Sequence, residues 1–246
     1  MKTFLFILQF MTRLPVPAGI EFTQERLVRG MMFLPVLGMI VGGLVAGVYV
    51  IASSIVPPVA AVFLSLSAWV LLTGGLHLDG LADTCDGVFS LRPRERVLEI
   101  MKDPRIGTNG VLAVVMILAA KFTALLSLEE SRLITALIVS PVAGRLALVT
   151  AASLGKYARD EEGLGSFVNH TGWRQFLPAL ALALPVLPLD PGRVTIAAGS
   201  ALFVPLAMHF YLKRKLGGVT GDTLGACVEL TETWTLWAFL IMERLL

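Results

Sequence analysis

The chain has 246 residues, 56% of them hydrophobic and only 15% charged, with a net charge of +2. A soluble domain carries about 25% charged residues, so a water-soluble globule is excluded, and so small a positive charge leaves no footprint for nucleic acid. Two cysteines, Cys85 and Cys227, supply neither a disulfide framework nor metal-ligand spacing, and they read as small buried residues near helix ends. Apolar stretches of about 20 residues, enough to cross about 30 Å of hydrocarbon, recur along the chain. The expectation is an all-α, polytopic integral membrane helical bundle of about six to seven transmembrane helices with a cytoplasmic N-terminus. Residues 1–246 would form a single membrane-embedded catalytic domain.

Residues 1–30 read as an N-terminal interfacial segment. Phe4–Met11 is too short to span, lacks a small-residue cleavage site and is followed by Arg13-Leu14-Pro15, which suits an interfacial helix rather than a signal peptide. Met31–Ile55 is the first span, glycine-rich and broken at Val56-Pro57-Pro58. Ala60–Leu78 is the second and runs into an acidic motif, with residues 79–109 as a cytoplasmic active-site loop. Gly110–Leu128 and Leu133–Leu154 flank the short turn Glu129–Arg132. Phe176–Leu189 is a short segment interrupted by Pro178, Pro185 and Pro188; Val194–Leu212 and Leu224–Leu246 complete the set. The last carries Glu229 and Glu232.

Lysine and arginine set the orientation. With the N-terminus inside, the inner segments hold Lys2, Arg13, Arg26, Arg29, Arg92, Arg94, Arg96, Lys102, Arg105, Lys156, Arg159, Arg174, Lys213, Arg214 and Lys215. The outer segments hold Arg132, Arg193 and Arg244. This places the long polar loops, and any chemistry they carry, on the cytoplasmic side.

The motif GGLHLDGLADTCDG, residues 74–87, places Asp79, Asp83 and Asp86 at i, i+4 and i+7, one face of a helix. Small neighbours, Gly80, Ala82 and Gly87, permit close approach. Three like charges on one face make sense when a divalent cation neutralises them, and oxygen-only ligands suit magnesium with a phosphate-bearing substrate. His77 either binds metal, acts as a base or makes a structural hydrogen bond. A second acidic set lies in GGVTGDTLGACVEL, residues 217–230. Asp222 and Glu229 share a helix face, Glu229 roughly 10 Å deeper at about 1.5 Å per residue, and the pair reads either as a second wall of the same site or as part of a seventh segment that never enters lipid. Lys121, roughly 17 Å into its helix, and Arg145, about 14 Å from the inner end of its own, either pair with acids or hold a phosphate. EIMKDPRIGTNG, residues 99–110, combines Lys102, Arg105 and Asn109 with a helix start, which suits an anion. Tyr157 and Arg159, in the polar loop 156–174 with Asn169 and His170, either close over a large polar ligand or simply connect helices.

LQFMTRLPVP, GGLHLDGLADTCDG, EIMKDPRIGTNG, SPVAGR, YARDEEGLG and GGVTGDTLGACVEL together resemble the cobalamin synthase family, the adenosylcobinamide-GDP ribazoletransferases, over nearly the whole chain. Cys85 departs from the small residue usual in that family, without displacing an aspartate. The resemblance implies a magnesium-dependent transfer of adenosylcobinamide phosphate from adenosylcobinamide-GDP to α-ribazole or its 5′-phosphate, giving adenosylcobalamin or its 5′-phosphate and GMP, in the bacterial cytoplasmic membrane. Asp79, Asp83 and Asp86, joined by Asp222 and Glu229, would hold the metal; Asp83, Asp86 and His77 would serve the chemistry. Lys102, Arg105, Asn109, Arg145, Tyr157 and Arg159 would bind substrate. Other nucleotide-loop assembly enzymes are candidate partners. Two alternatives stand. A CDP-alcohol phosphotransferase has a similar motif but an Ala-Arg pair where this chain has Ala82-Asp83. A cation-coupled transporter would use the acids as an ion path, yet no internal repeat is present.

Overall fold

Twelve α-helices carry most of the described residues, 2–16, 19–161 and 163–245, of this computed structural model. Pro17 and Glu162, parts of two motifs named above, lie outside them, as do Met1, Ala18 and Leu246. In chain order the helices are α1 (Lys2–Met11), α2 (Gln24–Gly30), α3 (Leu34–Ser53), α4 (Pro58–Thr73), α5 (Leu76–Val88) and α6 (Arg94–Ile100). There follow α7 (Thr108–Ser127), α8 (Glu130–Leu154), α9 (Trp173–Ala183), α10 (Pro191–Ala201), α11 (Phe203–Leu216) and α12 (Gly221–Leu245). No β-strand occurs among the described residues; a single bridge joins Tyr157 to Val219.

The core is built on α8, which packs against α3 on one side and α12 on the other. Every residue from Val139 to Ala152 is buried. Close approach needs small residues at the contact, because lipid offers no hydrophobic drive for helix association. A methyl added at Gly38 of α3 would lie 2.7 Å from the Pro141 carbonyl oxygen, and one at Gly42 would lie 2.7 Å from Ile138 Cα. Phe63, Leu71, Met116, Phe203 and Phe210 are large, apolar and exposed, as lipid-facing side chains are.

Four helical stretches among the described residues are long and apolar enough to cross a membrane: Gln24–Ser53, α7, α8 and Pro191–Leu216. The expected second span is corrected: α4 and α5 meet at 85°, so the chain turns at the acidic motif instead of running straight into it, and this bent pair makes a fifth stretch when counted as one. Trp173–Leu189 is a short apolar segment. The helix α12 is 25 residues long but carries Asp222, Glu229, Glu232, Glu243 and Arg244. The N-terminal helix is not splayed away from the bundle: Phe6, Ile7 and Met11 are buried, and the Arg13 amide donates to the Leu72 carbonyl at 2.8 Å.

The bundle has two distinct poles. At one, Arg94 donates to the carbonyls of Leu216 (2.8 Å) and Ala158 (2.5 Å), drawing the loops after α5, α8 and α11 together. At the other, Arg132 at the start of α8 pairs with Glu243 at the end of α12, 3.2 Å apart.

Candidate active site

The 85° bend comes from two glycines. Gly74 and Gly75 have φ of 62° and 69°, a left-handed backbone that glycine adopts without steric cost. Their amides close the end of α4 by donating to the Leu71 and Val70 carbonyls, each at 3.1 Å. The chain then restarts as α5, packed between α7 and α12. Asp79 is exposed and Asp83 half-buried along this helix.

Asp86 is committed differently. Its carboxylate accepts the Gly107 amide at 2.7 Å and the Gly110 amide at 2.8 Å, one on each oxygen. These amides belong to the start of α7, where the helix dipole favours an anion. Asp86, expected to serve metal and chemistry, is thus tied on both oxygens to the start of α7.

Asp222 enters from the first turn of α12. The chain before it is fixed to the loop after α8: Ala158 donates to the Val219 carbonyl at 2.9 Å, and Val219 to that of Lys156 at 2.8 Å. This pairing brings Arg159 within 3.4 Å of the Asp222 carboxylate, which also accepts the Thr220 hydroxyl at 3.3 Å. The backbones of α5 and α12 touch here. A methyl at Gly80 would come within 2.7 Å of the Asp222 carbonyl oxygen, and one at Gly225 within 3.3 Å of His77 Cα. Asp83 thus lies in the electrostatic reach of Asp79, Asp222 and Asp86, with Arg159 as the opposing cation.

Glu229 is not part of this face. The Lys121 ammonium binds Glu229 at 2.6 Å and Glu232 at 2.5 Å, and Arg145 pairs with the other oxygen of Glu232. All four side chains are buried, and Lys121 also sits 4.6 Å from the centre of the Trp69 ring. Two cations neutralise two carboxylates, which is how charge survives in a low-dielectric interior. In this structure Glu229, expected at the metal, is paired with Lys121, and Arg145, expected either to pair with an acid or to hold a phosphate, is paired with Glu232.

Around the aspartates the surface is hollow. A crevice of about 170 Å³ is bordered by His77, Asp79 and Asp222. It shares Asp222 with a cavity of about 270 Å³ that also has Lys102, Tyr157 and Arg159 in its wall. Beyond it, a cavity of about 630 Å³ is lined by Tyr157, Arg159, Asn169 and His170 among others. On the opposite side the crevice shares Asp79 with a cavity of about 540 Å³ that includes Gln9 and Arg13. His77 is buried, and neither ring nitrogen has a hydrogen-bond partner among the described residues. Asn109 is exposed in the first turn of α7. Arg105 forks onto Asp103 at 2.9 and 2.7 Å, and that hydrogen bond holds the Asp103 carboxyl down at about 2; its guanidinium is thereby committed within its own loop. Gln9 and Arg13 had no assigned role in the sequence; the signal was a cation placed between an apolar helix and the prolines that follow it.

No three His, Cys, Asp or Glu side chains among the described residues close a metal cage. Magnesium is commonly held by one or two carboxylates, waters and substrate phosphates rather than by an all-protein cage. The oxygen donors Asp79, Asp83 and Asp222 fit that mode.

Fold and site define a membrane-type helical bundle that presents carboxylates and cations together at one pole. The chain belongs to the family described as Cobalamin-5-phosphate synthase, which it matches over residues 3–240. It is 40% identical over 246 residues to an adenosylcobinamide-GDP ribazoletransferase of Acetivibrio thermocellus, covering 99% of each chain. With the protein of that name from Clostridium acetobutylicum, identity is 37% over 237 residues, 96% of this chain and 94% of the other. No solved structure matches.

Proposed function

We propose that this protein transfers adenosylcobinamide phosphate from adenosylcobinamide-GDP to α-ribazole or its 5′-phosphate, releasing GMP, at the cytoplasmic face of the bacterial membrane. The observation that carries the reading is the contact of α5 with α12 at Gly80 and Asp222, which sets two acidic elements around one crevice. Asp79, Asp83 and Asp222 would hold magnesium, which when bound supplies charge neutralisation at the diphosphate. Lys102 and Arg159, in the wall next to Asp222, stabilise the charge that develops on the departing GMP. The acceptor hydroxyl loses its proton to His77 or to the carboxylate of Asp83 as its oxygen bonds to phosphorus. Asp86 keeps the first turn of α7 against this face.

Purified protein in detergent, given both substrates and magnesium, is expected to release GMP in step with a new corrinoid resolved by chromatography, and EDTA is expected to stop both. Failure to form either product would reject the assignment; turnover unaffected by EDTA would reject the metal.

A further inference from the structure

Three cavities beside the aspartates are linked in a row by shared wall residues, and the two outer ones differ chemically. The crevice between α5 and α12 shares Asp79, Phe10 and Leu76 with the cavity on the α1 side. It shares Asp222, Gly165 and Gly221 with the cavity on the other side. The two end cavities have no lining residue in common. The Asp222 end holds the cations Lys102 and Arg159, paired there with Glu161 at 3.2 Å and with Asp222 at 3.4 Å, contacts that an entering phosphate would replace. The α1 end mixes Gln9, Thr12 and a single cation, Arg13, with apolar walls from Ile106 and Val114.

Displacement at phosphorus needs the entering and leaving oxygens on opposite sides of the phosphorus atom. A carboxylate-lined crevice flanked by two distinct cavities suits this. The nucleotide leaving group carries a phosphate and suits the two-cation end. The acceptor is a nucleoside with a flat apolar base, hydroxyl groups and at most one phosphate, which suits an apolar wall with a few polar groups and one arginine. A volume of about 540 Å³ lies within the range of small-ligand pockets.

We propose that the acceptor nucleoside binds in the α1-side cavity, with Arg13 and Gln9 as its polar contacts and Val114 against its base. Its hydroxyl then attacks from the Asp79 end: the new oxygen–phosphorus bond forms, the bond from phosphorus to the GMP phosphate breaks, and GMP leaves with the electron pair toward Lys102 and Arg159. The proton leaves with the base on the crevice wall. The N-terminal helix is thus part of the substrate site as well as of the bundle. The Arg13 amide already fixes this segment through Leu72, independently of its side chain. The assignment rests on the proposed transfer reaction, and the test separates the two.

The probe is α-ribazole alone, measured by equilibrium dialysis with the full chain in detergent, followed by steady-state kinetics with each substrate varied. Arg13→Gln, in the segment after α1, and Val114→Phe, in α7, alter the cavity from different elements. Both are expected to weaken α-ribazole binding about tenfold and to raise its KM alike, while the KM for adenosylcobinamide-GDP stays within about twofold. Arg13→Lys is expected to recover most of the affinity. Wild-type protein that binds α-ribazole with this variant pattern, yet releases no GMP, would keep the cavity and reject the reaction. Absence of α-ribazole binding to wild type, or variants whose donor KM moves instead, would overturn the acceptor site.

Discussion

The side chains of the candidate site divide into those aimed at the crevice and those spent on structure, and substitution distinguishes them. Asp83 lies within the electrostatic reach of Asp79, Asp86 and Asp222, so Asp83→Asn removes a carboxylate from the anionic face. Turnover is expected to fall to near background while the protein elutes as wild type in size exclusion; near-normal GMP release at saturating magnesium would refute this role. Lys121→Met leaves Glu229 and Glu232 buried with one cation between them. Losing one partner of a buried charge pair costs about 3–5 kcal/mol, so a large drop in Tm in detergent is expected. Glu229→Gln separates the readings of that residue. Paired with Lys121, it should lower Tm and leave the magnesium concentration for half-maximal turnover unchanged. The reverse result would return Glu229 to the metal. The sequence showed Asp79, Asp83 and Asp86 on one face because helix periodicity is local. It could not show what Asp86 holds, since Gly107 and Gly110 are 21 and 24 residues away. The partner of Glu229 was hidden too: seven residues from Asp222 it shares a face, but two turns deeper it meets Lys121 instead of solvent.

At the scale of elements, the site depends on how closely α5 and α12 approach. Gly80→Val would drive a β-branched side chain into the Asp222 backbone, where the added Cβ already lies 2.7 Å from the carbonyl oxygen. Backbone cannot rotate away as a flexible side chain can, so the helices must separate. Overpacking of this kind costs about 1–3 kcal/mol, and here it also parts Asp83 from Asp222, so turnover should fall more than stability does. An enzyme with wild-type kinetics and Tm would show that the contact is slack. The helices themselves were largely legible: the lengths and apolar runs of α3, α7 and α8 follow the hydropathy. The bend between α4 and α5 was not, because apolar residues continue across Gly74 and Gly75 and a hydropathy window averages over the turn. What the pattern hid, the two positive φ angles produce.

At the scale of the whole molecule, the two poles fix which charges share a side of the membrane. Lys215 at the end of α11 donates to the Arg92 carbonyl at 3.3 Å, and Arg94 reaches Leu216 and Ala158. Basic residues far apart in sequence therefore sit at the pole that carries the aspartates. The opposite pole has Arg132 held by Glu243 and Glu129, so its positive charge is largely cancelled. Lysine and arginine near helix ends are retained on the cytoplasmic side, and the bias here favours one pole strongly. The expected outcome is that the aspartate pole faces the cytoplasm. Glu95 in α6 and Ser131 in α8 are exposed at the two poles. In a background lacking Cys85 and Cys227, Ser131→Cys should react with a membrane-impermeant maleimide added to intact cells made permeable only at the outer membrane. Glu95→Cys should react only after the inner membrane is opened. The opposite pattern would invert the molecule. It would place the crevice on the side without a cytoplasmic nucleotide supply, and the proposed use of a GDP-linked substrate would fail with it.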